Sequence, residues 1–115
     1  MDMPRLDQML PEPVMPACPA QRLLRGQKAL VTGASSGIGR AIAIALAEAG
    51  ADVVVNYASG EAKAREVVQA ISKHGVQGMA YGADVSDEAQ VTAMFGAMIE
   101  ELGTIDILVN NAGLQ

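Results

Sequence analysis

From Thr32 to Arg40 the chain reads Thr-Gly-Ala-Ser-Ser-Gly-Ile-Gly-Arg, placing Gly33, Gly37 and Gly39 within one short stretch. Glycine admits positive φ and lets an anion approach the backbone without a Cβ in the way. A helix that starts near Gly37 adds free N–H groups and the positive end of its dipole. Ser35 and Ser36 add hydroxyl donors. The chemistry these residues suit is capture of a phosphate or pyrophosphate; the plain alternative is a strand-to-helix turn that needs glycine only for its shape. The spacing G-x-x-x-G-x-G fits neither the Walker phosphate loop, which needs Lys-Ser/Thr after its last glycine, nor G-x-G-x-x-G.

Two further groups could meet a ligand. Gly82-Ala83-Asp84-Val85 brings a carboxylate, and Asn110-Asn111-Ala112-Gly113 brings two amides. Each has a structural reading beside it. Asp84 could end a strand or help cap the helix that follows, and Asn111 could tie neighbouring strands together. Asp52 and Asp106 are expected at strand starts, the wrong end for a ligand, and solvated. His74 is expected at a helix C-terminus in a structural role, where the dipole favours a partly charged imidazole.

The elements that position these groups follow from two alternating periodicities. Lys28–Thr32 is a short apolar run, and Asp52–Asn56 is β-branched, as buried parallel strands are. A weaker strand is expected over Gln77–Ala83 and a fourth over Ile105–Val109. Ile38, Ala41, Ile42, Ala45, Leu46 and Ala49 recur at helical spacing, with Gly50 as a stop. Ala64, Val67, Val68 and Ile71 make a second stripe, closed by Gly75. Val91, Met94, Phe95, Met98, Ile99 and Leu102 make the third, a core face, with Ser86 expected as N-cap and Asp87 and Glu88 in the first turn. Helix-length crossovers between successive strands require a parallel, open α/β sheet. Ligands of such sheets bind beyond the strands' carboxyl ends, where all three motifs fall.

Composition narrows the function classes. The 115 residues suffice for one domain. Aromatics are scarce, at 3%, which suits small aliphatic side chains packed between helix and sheet. A net charge of −5 without a basic block speaks against nucleic acid as partner. One cysteine, Cys18, and one histidine, His74, cannot build a disulfide framework or a Cys/His zinc site. No apolar run reaches the ~20 residues that span a bilayer. A cytoplasmic setting is expected. Residues 1–25, with prolines at 4, 11, 13, 16 and 19, are expected to be a disordered leader, and 26–115 a single, partial domain.

The pattern Thr32-Gly33-x-x-x-Gly37-x-Gly39, followed by the Asp84-Val85 and Asn110–Gly113 elements, resembles the short-chain dehydrogenase/reductase family. The resemblance covers Gly26 to Gln115. Val53–Tyr57 and Asn110–Leu114 are most similar to glucose 1-dehydrogenase and 3-oxoacyl carrier-protein reductase types. It implies a Rossmann-like, doubly wound parallel sheet, here reaching its fourth strand. It implies a nicotinamide dinucleotide as partner and oxidation of alcohols or reduction of carbonyls as activity, in a family that is usually homo-oligomeric. Carried over residue by residue, the cofactor site comprises Gly33, Ser35, Ser36, Gly37, Ile38, Gly39, Asn56, Tyr57, Ser59, Asp84, Val85, Asn111, Ala112 and Gly113. In the family the carboxylate matching Asp84 meets the adenine amino group.

The resemblance also frames cofactor choice. NAD-preferring sites tend to place a carboxylate at the end of the second strand, where it would repel a 2′-phosphate. Here that position is Asn56, followed by Tyr57, Ala58 and Ser59, so NADP or NAD is expected with a slight lean to NADP. Relatives often carry basic residues where this chain has Ser36 and Ala58. Arg40 is expected to point along its helix, away from the ribose. The family's chemistry uses a Ser, a Tyr-x-x-x-Lys pair and a later Asn. Tyr57 and Tyr81 are followed four residues on by Glu61 and Val85, so no catalytic residue carries over. The expectation is therefore an oxidoreductase fragment that binds cofactor but is inactive alone, its fourth strand an exposed, aggregation-prone edge. The rival is an inactive nucleotide-binding or partner-dependent module. A phosphoacceptor α/β domain is disfavoured, since its first strand would lead to acidic residues rather than Thr32-Gly33.

Overall fold

A computed structural model of the chain describes residues 23–112. The expected leader and Gly113 therefore lie largely or wholly outside the described residues. The elements run β1 (Lys28–Val31), α1 (Gly37–Glu48), β2 (Asp52–Tyr57), α2 (Glu61–Ser72), β3 (Gly78–Gly82), α3 (Glu88–Leu102) and β4 (Ile107–Val109). The strands form one parallel sheet in the order β3-β2-β1-β4, in register from Ala29 opposite Val53 and Ile107 to Val31 opposite Val55 and Val109. This is the open α/β sheet that the alternating periods predict.

Period two along the strands sorts the core into two layers. Ala29, Val31, Val53 and Val55 point to one face, where α1 and α2 cover them with Ala43, Ala47, Ala64, Val67 and Ile71. Leu30 and Val54 point to the other, against Met94 and Met98 of α3. Alanines on α1 and α2 let two helices sit side by side on the first face. The second face carries α3 alone among the described residues, so the expected Val91–Leu102 stripe is only partly covered. Met94 and Met98 are buried, whereas Ile99 is 52% exposed and Leu108, on β4, 53%.

Two boundaries differ from expectation for local reasons. The N-cap of α3 is Asp87, whose Oδ1 accepts from the N–H of Ala89 (3.0 Å) and Gln90 (3.3 Å). Ser86, the expected cap, instead donates its hydroxyl to Asp84 Oδ1 at 2.7 Å, and a carboxylate one residue later is the stronger acceptor. The ladder of β4 begins at Ile107. Asp106 already bonds to Lys28 both ways, its N–H to the Lys28 carbonyl (2.8 Å) and its Oδ2 from the Lys28 N–H (2.8 Å). A side chain thus replaces the backbone acceptor at the first rung.

Asp106 and Asp52 are at the strand starts, as expected, but not merely solvated. The Asp52 carboxylate takes the Lys28 ammonium on one oxygen and the Gln77 N–H (2.8 Å) on the other. Burial raises its pKa, but the Lys28 and Gln77 hydrogen bonds and the lysine's charge outweigh that and hold it below the ordinary carboxylate value. His74 lies just past α2, its N–H on the Ile71 carbonyl at 3.0 Å.

Candidate functional site

The glycine turn is built on three buried polar side chains at the strands' carboxyl ends: Thr32, Asn56 and Asn111. Thr32 Oγ1 accepts from the N–H groups of Asn111 (2.9 Å) and Ala112 (3.0 Å), which ties the start of the turn to the residues after β4. Its single proton can go to the Val109 carbonyl (3.3 Å) or to Asn110 Oδ1 (3.4 Å). Asn111 Nδ2 donates to the Gly33 carbonyl at 3.1 Å. Asn56 Oδ1 accepts from the Gly33 N–H (3.2 Å), and Nδ2 donates to the carbonyls of Ala83 (3.0 Å) and Tyr81 (3.3 Å). Buried amides that lack partners are costly; these have them. Together they fix the turn against β2, β3 and β4.

The turn itself uses glycine in two ways. Gly33 and Gly37 adopt φ of +62° and +63°, the left-handed region that disfavours a side chain. Gly39 is needed for closeness: a Cβ there would lie 2.3 Å from the Gly33 oxygen and 2.5 Å from Asn111 Nδ2. The start of α1 thus presses against the turn it follows. No side chain caps α1, whereas α3 is capped by its own Asp87. The uncapped N–H groups of α1 are a standing site for an anion.

In front of the turn lies a cavity of about 320 Å³, within the usual size of small-ligand sites. Gly33, Ser35, Ser36, Asn56, Ser59, Asp84, Val85 and Ala112 line it, so the structure brings these expected site residues together from four separate stretches of sequence. Ala58 and Ala83 complete the wall. Neither is among the expected site residues, because alanine carries no chemical signal, although Ala58 stands at the strand end that frames cofactor choice and Ala83 beside Asp84. Asp84 is exposed, with Oδ1 accepting from the N–H (2.9 Å) and hydroxyl of Ser86. Those bonds lower its pKa, and Oδ2 has no partner among the described residues.

The other expected site residues fall elsewhere. Gly37 lines a neighbouring hollow, Ile38 is 68% exposed on the first turn of α1, and Gly39 and Asn111 are buried behind the turn. Tyr57 is not brought to the main cavity. Strand alternation turns it to the opposite face from Asn56, in a hollow with Glu61 and Arg65, its ring over Gly82. The structural role of Thr32 was also missed, although the residue stood in the motif. Among the described residues there is no cluster of three His, Cys, Asp or Glu that could hold a metal, and no helix long and apolar enough to cross a membrane.

The site suits a dinucleotide in its donor and acceptor chemistry. An uncapped helix start and a glycine turn suit the pyrophosphate, and a carboxylate with one free oxygen suits an amino group across the cavity. Comparison with known proteins points the same way. The chain is 50% identical over 88 residues to the 3-oxoacyl-acyl-carrier-protein reductase FabG of Staphylococcus aureus, covering 76% of this chain and 36% of that protein. A short-chain dehydrogenase/reductase of Serratia marcescens superimposes with a TM-score of 0.76 at 39% identity, covering 78% of this chain and 37% of that one. A 7α-hydroxysteroid dehydrogenase complexed with NADH and 7-oxo glycochenodeoxycholic acid superimposes with a TM-score of 0.73 at 41% identity, covering 78% and 35%. The chain thus spans little more than a third of the length of these relatives. The short-chain dehydrogenase model matches residues 27–115, taking in the turn, the cavity wall and every strand described here, and the chain belongs to that family.

Proposed function

We propose that this chain binds a nicotinamide dinucleotide in the cavity at the carboxyl ends of its strands, as the cofactor-binding part of an oxidoreductase acting on alcohols or carbonyls. The observation that carries the proposal is the uncapped start of α1, held against the cavity by Gly33, Gly37 and Gly39. Gly33, Ser35, Ser36 and the first N–H groups of α1 would hold the pyrophosphate. Ala58 and Ser59 would flank the adenosine ribose, Asp84 Oδ2 would accept from the adenine amino group, and Val85 would pack against the base. Ala112 would line the way toward the nicotinamide, and Asn111 would act through the turn it holds. Bound there, the dinucleotide supplies hydride chemistry. The 115 residues contain no Tyr-x-x-x-Lys.

No carboxylate lines the cavity near Ala58 and Ser59, which removes the repulsion that would exclude a 2′-phosphate and supports a lean to NADP. A chain with one cysteine suits a reducing, cytoplasmic compartment. Titration of the purified chain with NADPH and NADH, followed by nicotinamide fluorescence and thermal melting, tests the proposal. Saturable binding with a melting temperature that rises with dinucleotide concentration is expected. A cooperatively folded chain that binds neither would overturn it.

A further inference from the structure

The glycine turn has an outer side as well. Ser35, Ser36 and Gly37 line a second hollow, of about 300 Å³, whose other walls are Arg40 on α1 and Lys63 and Glu66 on α2. Ser35 and Ser36 line the main cavity too, so the two hollows meet across these serines. The packing of α1 on α2 brings Arg40 and Lys63 to one place from different helices. Neither has an ion-pair partner among the described residues, where the pairs present are Lys28 with Asp52 and Arg65 with Glu61. The main cavity is lined by no cation, so these two are the positive charges available to a ligand that reaches past Ser36. Two cations against Glu66 leave the hollow positive in a chain whose net charge is −5.

Resting on the reading that a nicotinamide dinucleotide fills the main cavity, we propose that Arg40 and Lys63 form the subsite for the extra phosphate that distinguishes NADP from NAD. The 2′-phosphate is a dianion near neutral pH. An Arg fork and a Lys ammonium approaching from two helices match its oxygens, and the Ser36 hydroxyl, which makes no cap bond, is a further donor. Arg40 does not line the main cavity, in keeping with a side chain directed away from the ribose. It lines the hollow that meets the main cavity across Ser35 and Ser36, the side from which a phosphate on that ribose would reach it. Glu66 opposes the anion, so the subsite is weaker than its cations alone would make it.

The test compares NADPH and NADH affinities by calorimetry for the chain, the double variant Arg40→Gln/Lys63→Gln, and Glu66→Gln. Arg40 and Lys63 are exposed and unpaired, so their loss leaves the fold intact, with NADH binding as the internal control. The parent chain is expected to favour NADPH by about tenfold, the double variant to lose that preference at unchanged NADH affinity, and Glu66→Gln to enlarge it severalfold. Conservative exchange, Lys63→Arg, should keep it. Equal affinities in the parent chain, or a preference that survives the double variant, would overturn this subsite while leaving the cofactor cavity standing. Binding of neither dinucleotide would overturn the cavity reading, and this subsite with it.

Discussion

The two ends of the sheet are built from similar materials and put to opposite use. At the strand starts the charged side chains are spent within the sheet: Lys28 on Asp52, and Asp52 and Asp106 on the backbone N–H groups of Gln77 and Lys28. At the strand ends the buried polar side chains are neutral, and Thr32, Asn56 and Asn111 spend their bonds on backbone. These bonds hold the turn from behind, while the first N–H groups of α1 and one oxygen of Asp84 are left without a side-chain partner. One end is closed on itself. The other keeps donors and an acceptor in reserve, which is what a ligand requires.

Substitutions at the two ends should separate these roles. The largest effect is expected from Gly39→Ala, whose Cβ would meet backbone at 2.3 Å; overpacking of this kind costs about 3 kcal/mol. Both the melting temperature and dinucleotide binding should fall, as calorimetric melting and fluorescence titration would show. Asn56→Asp comes next. It removes the donors to the Ala83 and Tyr81 carbonyls and sets a carboxylate against them, a loss of about 2 kcal/mol in urea unfolding.

At the closed end, Asp52→Asn should cost about 1 kcal/mol and leave dinucleotide affinity unchanged. Its acid behaviour gives a further check. A carboxylate lowered in the folded state contributes fully above its ordinary value of 3.8 and loses that contribution as pH falls through the folded value. Asp52→Asn should therefore flatten the stability profile below about pH 3.8, as acid unfolding of the two chains would show. The smallest effect on stability is expected from Asp84→Asn. Its affinity for either dinucleotide should drop by about threefold to tenfold, since one acceptor toward the adenine is weakened, with the melting temperature nearly constant.

Much of the open end was legible in the sequence because its determinants are local. The glycine spacing, the strand before it and the helix after it lie within one stretch from Lys28 to Glu48, and the period of the apolar residues set the sheet. What was not legible depends on residues far apart in the chain. Asn56 reads as a strand residue at a ribose position, but its amide is engaged by Gly33, Tyr81 and Ala83, which only the register of three strands brings within reach. Tyr57 reads as part of the same site, and the strand's alternation sends it to the other face. Asp52 and Asp106 read as solvated charges until the sheet order places them beside Lys28. The cap of α3 was a local contest between Ser86 and Asp87, decided by Asp84 claiming the serine.

Mapping amide shifts across the chain as NADPH is added tests the division between the two ends most directly. The account predicts saturable shifts at Gly33–Gly39, Ala58–Ser59 and Asp84–Val85, with Lys28, Asp52 and Asp106 undisturbed. Shifts spread evenly over both ends, or none in a folded chain, would contradict it.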